Sequence, residues 1–152
     1  MRIRNIGVAV IGILSLIPGT DSFSQGRVKW SGSGGWGRGS QYNRMYDTTT
    51  VETVSGEVVS VERITPMRVM CYGLHLVVKT EKETLSVHLG PGWFIENQEI
   101  KIDAKDKVEI KGSRIIYEEK PALIAAEVKK GDEILKLRDE SGFPVWAGWR
   151  RR

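Results

Sequence analysis

His75 and His88 are the only histidines in the chain, and they fall in two runs of alternating apolar residues separated by the polar stretch Thr80-Glu81-Lys82-Glu83. Pairing Thr80 with Glu83 across that turn sets His75 opposite His88. Leu74, Leu76 and Val78 in one run, and Leu85, Val87 and Leu89 in the other, claim the inward face. Both imidazoles are therefore expected to point outward, with Cβ atoms about 4.5–5.5 Å apart. Two imidazoles at that spacing could share a transition metal, and Met67, Met70 and Cys71 stand just upstream as soft donors suited to copper. The plainer reading is a cross-strand polar pair with Met67 and Met70 packed at the mouth of the fold. Cys71 shares parity with His75 but lies about 13 Å away along an ideal strand, so the pair lacks an obvious third ligand.

A second constellation suits recognition. Phe143, Pro144, Val145, Trp146 and Trp149 lead into Arg150-Arg151-Arg152, which places large aromatic anchors beside guanidinium groups. Near the other end, residues 26–39 read GRVKWSGSGGWGRG, a glycine-rich stretch carrying Trp30 and Trp36. A plain spacer has no use for indoles, so Trp30, Trp36, Phe143, Trp146, Trp149 and the three arginines are the candidate partner-binding residues. Docking of the aromatics onto the chain's own fold is the competing reading. Catalysis has little support: no Gly-x-Ser-x-Gly elbow occurs, the single cysteine has no expected histidine partner, and Glu118-Glu119 and Asp139-Glu140 are adjacent acids in turns. No catalytic residue is assigned, and the protein is read as non-enzymatic.

The elements that must carry these residues fit in one domain. The chain has 152 residues, of which 40% are hydrophobic and 28% charged, with a net charge of +4. Such a balance excludes a wholly disordered chain and gives no basis for nucleic-acid binding. Met1, Arg2 and Arg4 precede an apolar run from Ile6 to Ile17, followed by Pro18-Gly19 and Ser22-Phe23-Ser24. That run is 12 residues, whereas a membrane-spanning helix needs about 20. Residues 1–24 are thus expected to be a signal peptide cleaved after Ser24, leaving a periplasmic or secreted protein without an integral membrane span. Losing Arg2, Arg4 and Asp21 takes the net charge from +4 to +3.

Residues 25–48 are expected to form a flexible arm. Val51–Thr65 then alternates with a parity shift between Val58 and Val59, predicting a long, bulged first strand. The histidine hairpin supplies strands over Tyr72–Lys79 and Thr84–Leu89, and GPGWFIENQ predicts one or two helical turns at Trp93–Gln98. A fourth strand begins at Val108 and kinks at Gly112; a fifth covers Ala122–Lys129 after Pro121; a last short strand holds Ile134, Leu135 and Leu137. This order predicts an all-β fold, a small five-stranded Greek-key barrel of the OB type over residues 49–138, with one short helix between strands 3 and 4; an SH3-like barrel or a small sandwich is the competing architecture. Residues 139–152 form the aromatic, arginine-rich tail.

The words TVETVSGEVVSVE (50–62), VHLGPGWF (87–94), VEIKGSR (108–114) and LRDESGFPVW (137–146) resemble a family of exported bacterial OB-fold proteins, which includes BOF-type periplasmic domains and the domain shared by MamS/MamX-type magnetosome proteins. The resemblance implies a periplasmic, non-enzymatic module that binds or assembles. Haem-bearing relatives carry Cys-x-x-Cys-His, which this chain lacks, so no haem role carries over. The expected function is an accessory or assembly subunit of an envelope protein complex, a redox complex being one candidate partner; the alternative is a small copper-binding protein using His75 and His88.

Overall fold

The computed structural model describes residues 34–148. The expected signal peptide, Trp30, Trp149 and Arg150–Arg152 lie outside the described residues. Six strands follow in order: β1 (Val51–Ile64), β2 (Gly73–Lys79), β3 (Thr84–Pro91), β4 (Lys107–Tyr117), β5 (Lys120–Lys130) and β6 (Glu133–Lys136), with the single helical turn α1 (Gly92–Ile95) after β3. The sheet runs β3-β2-β1-β4-β5-β6 and closes through a parallel β3–β5 pairing, which makes a five-stranded OB barrel with β6 as an added edge strand. Among the described residues no helix is long and apolar enough to cross a membrane.

Closing so small a barrel requires sharp bends, and the sequence supplies them where its alternation slips. In the β1–β2 ladder Val58 pairs with Val78 and Ser60 with Val77, so Val59 is the bulged residue expected from the parity shift. In the β4–β5 ladder the shift falls opposite Gly112, where a side chain would run into the backbone carbonyl of Ile124 at 2.3 Å. Leu76, Val78, Leu85, Val87, Ile110 and Leu123 fill the interior, each at most 1% exposed. The inward leucines and valines of the hairpin are thus where alternation puts them. The helical turn begins at Gly92, one residue earlier than expected, because the amide of Gly92 bonds to the carbonyl of Tyr72 and fixes the chain's exit from β3.

β4 and β5 are joined by the two residues Glu118 and Glu119, with φ of 50° and 65°. A two-residue hairpin needs that left-handed pair to match the strand twist, and β-carbons resist it. Replacing the pair by Asn-Gly is expected to stabilise the fold by about 1–2 kcal/mol, read as a higher urea midpoint at unchanged slope.

The ends of the described chain do not hang free. Trp36 and Trp146, each 1% exposed, lie on the outer face of the β2–β3 hairpin. The Trp36 ring covers Gly73, where a β-carbon would come within 2.3 Å of it, and the Trp146 ring covers Gly90, where the distance would be 2.8 Å. Only glycine lets an indole settle so close to the backbone. The indole of Trp36 donates to the carbonyl of Cys71 at 2.9 Å, and that of Trp146 donates to the carbonyl of Trp36 at 2.9 Å. Arg38 stacks on Phe143 with 3.7 Å between Cζ and the ring centroid, and Arg138 reaches Asn43. Residues 34–48, expected to belong to a flexible arm, are therefore packed between the hairpin and the tail.

Candidate functional site

The register sets Glu62, His75, His88 and Ile124 side by side across β1, β2, β3 and β5. The pairing of His75 with His88 is the one expected from the turn, yet the two rings meet different surroundings. His75 keeps a 15% exposed side chain. Its Nδ1 hydrogen-bonds Ser86 Oγ at 2.6 Å and its Nε2 lies 3.2 Å from Glu62 Oε2. Ser86 shares the outer face of the hairpin with both histidines, and Glu62 faces His75 from the neighbouring strand.

His88 is only 1% exposed. Its Nδ1 shares a 2.8 Å hydrogen bond with the Tyr42 hydroxyl, and the two rings stack at 5.9 Å. Tyr117 and His75 approach it edge-to-face at 4.9 and 6.1 Å, and its Nε2 has no hydrogen-bond partner. Burial pushes the His88 pKa down to about 4, with the nearby charges of His75 and Arg138 adding to the effect. Burial likewise raises the Tyr42 hydroxyl well above the usual tyrosine range. Both rings are neutral at physiological pH.

The expectation of two outward, solvated imidazoles is corrected. Both do project from the outer face, but the segment carrying Trp36 and Tyr42 lies over that face and takes His88 inside. At the residues of the copper reading, Tyr42 engages Nδ1 of His88, while Ser86 and Glu62 engage the two nitrogens of His75. Met70 is buried against Gly35, Met67 packs on the core, and Cys71 is held against Gly34. Among the described residues no three His, Cys, Asp or Glu side chains gather where they could hold a metal ion.

Beside His75 an open cleft of about 400 Å³ remains, lined by Arg63, Thr65, Ser86, Tyr117, Glu118 and Lys120 among others. It lies between the β1–β2 loop and the β4–β5 turn, the position at which OB barrels present their ligand platform. Charges of both signs, two hydroxyl groups, a half-buried tyrosine and an imidazole can bind a mixed polar surface. Ser86, His75 and Glu62 form a hydrogen-bonded chain, but Ser86 sits in mid-strand, flanked by Val77 of β2 and Ala122 of β5. Amides engaged in those ladders offer no pair of free donors for an oxyanion.

Residues 50–135 match the MamS/MamX magnetosome protein family. The chain belongs to that family. No curated protein matches it. The matched stretch of this MamS/MamX domain spans β1 to β6 and includes the cleft, whereas Trp36, Tyr42, Arg138 and Trp146 lie outside it.

Of the candidate partner-binding residues, Trp36 and Trp146 are withdrawn from any partner, because the glycine seats and indole hydrogen bonds hold both against the outer face of the β2–β3 hairpin. Phe143 remains 37% exposed beneath Arg38. Sequence reasoning passed over Glu62, Ser86 and Tyr117, although the register that opposed His75 to His88 also sets Ser86 on their face. It missed Tyr42 and Arg138 for a different reason: their partners are far away in the chain.

Proposed function

We propose that this protein is a non-enzymatic binding module of the periplasm, acting as an accessory or assembly subunit of an envelope protein complex, with the cleft beside His75 as its docking site. The observation that carries this reading is the division of the hairpin's outer face. One part is closed by the chain's own indoles, while the other is open, polar and bounded by the two connections that flank an OB platform. A signal-peptide-like start in residues 1–24 supports export, and the paired backbone around Ser86 supports recognition over turnover.

The test is the double variant Arg63→Glu, Lys120→Glu, which reverses both cations of the cleft without touching the core. Wild-type protein isolated from the periplasmic fraction is expected to carry a protein partner at fixed stoichiometry, by native mass measurement, and to keep it after chelation. The double variant should fold with an unchanged melting temperature and lose the partner. A variant that retains the complex, or a wild-type protein recovered alone or in the cytoplasm, would overturn the reading.

A further inference from the structure

Arg138 is the one Lys, Arg, Asp or Glu among the described residues that the core encloses, with 3% of its surface exposed. Its Nη1 donates to Asn43 Oδ1 and, at 3.2 Å, to the carbonyl of Gly142, while Nε is buried without a partner. Tyr46 and Trp146 present their ring faces 5.5 and 5.1 Å from its Cζ. All of these neighbours are neutral. Among the described residues no carboxylate pairs with Arg138. The adjacent Asp139 is engaged elsewhere, its Oδ1 receiving the amides of Ser141 and Phe143, both at 2.9 Å.

A buried cation without a counter-ion is costly, and a guanidinium forks toward two oxygens at once. A cavity of about 340 Å³ stands beside this one, with Tyr46, Thr48, Lys111, Lys136 and Arg138 in its wall. Glu127, Asp139 and Glu140 also border it, which favours a singly charged anion over a multiply charged one. The cavity shares no lining residue with the cleft beside His75.

We propose that this cavity is a carboxylate-binding site, in which the Arg138 guanidinium takes the carboxylate and Lys111 and Lys136 flank it. The carboxylate belongs either to a peptide or to a free small acid, and the two sources are separable. The site also gives a role to LRDESGFPVW, residues 137–146, whose arginine docking and metal chemistry leave unused.

The experiment is a titration of the ¹⁵N-labelled full chain with sodium acetate at constant ionic strength, with sodium chloride as control, following the Nε–H resonance of Arg138. Acetate is expected to produce a saturable shift that chloride does not. Lys111→Gln, Lys136→Gln leaves the core intact and should weaken acetate binding about fivefold, the effect of removing two exposed charges. A short peptide with a free C-terminal carboxylate that binds more tightly than acetate, and loses that advantage on amidation, identifies a peptide as the source. Equal affinity identifies a free acid. A shift no different from that in chloride, or a double variant that binds acetate as wild type does, would overturn the site.

Discussion

Trp146→Ala is expected to destabilise the domain by about 3–5 kcal/mol, the range for deleting a fully buried indole. A domain of this size should then melt about 10–20 °C lower. The loss has three parts. The ring is 1% exposed and packs on Phe94 with centroids 5.4 Å apart. Its removal uncovers the backbone at Gly90 and strips the carbonyl of Trp36 of its donor. It also bares Arg138, which lies under the same ring. Trp36→Ala should cost a similar amount, and the double variant less than the sum, because the Trp146 indole bonds the backbone carbonyl of Trp36 and the two rings cover neighbouring glycines of one hairpin. Phe143→Ala, at a partly exposed ring in the same tail, should stay within about 1 kcal/mol of wild type. Equal losses for Phe143 and Trp146, read by thermal melting, would place the tail's contribution elsewhere.

Acid should weaken the fold through His88. Its pKa is held down to about 4 in the folded protein, against the ordinary histidine value of 6.5. The unfolded chain therefore takes up the proton first. Stability from this group is fully present above pH 6.5 and is lost as the pH falls toward 4, amounting to about 3 kcal/mol over the interval. Groups around the ring reinforce the direction: Tyr42 and Tyr117 are neutral, and the charges of His75 and Arg138 repel an imidazolium. His88→Gln keeps a polar partner for Tyr42 and cannot titrate. Denaturant unfolding at pH 7, 5.5 and 4.5 should show the steeper decline in wild type, with the difference between the two proteins narrowing in acid. Parallel curves would mean that His88 is charged or solvated in the fold.

The hairpin was legible because its information is local. Alternating Leu74, Leu76 and Val78 against Leu85, Val87 and Leu89, with a four-residue polar turn, admits one register that buries both sets. The parity slips at Val58–Val59 and at Gly112 likewise mark bends that a closed barrel needs. What covers the outer face was not legible. Gly73 and Gly90 read as a strand start and a glycine-proline break, and nothing near them tells that each seats an indole from 37 and 56 residues away. That long-range packing turned an expected pair of solvated imidazoles into one buried ring and one half-open one. Arg138 escaped notice because a lone arginine between Leu137 and Asp139 looks like an ordinary surface residue until the tail folds back over it.

The chain's own ends cover part of the hairpin's outer face and leave the cleft beside His75 open. The positions of the α-protons of Gly73 and Gly90 in the ¹H spectrum of the full chain test it most directly. Both glycines should show strong ring-current shifts and nuclear Overhauser contacts, Gly73 to the indole of Trp36 and Gly90 to that of Trp146. Glycine α-protons at ordinary positions, with no contact to either indole, would contradict the account.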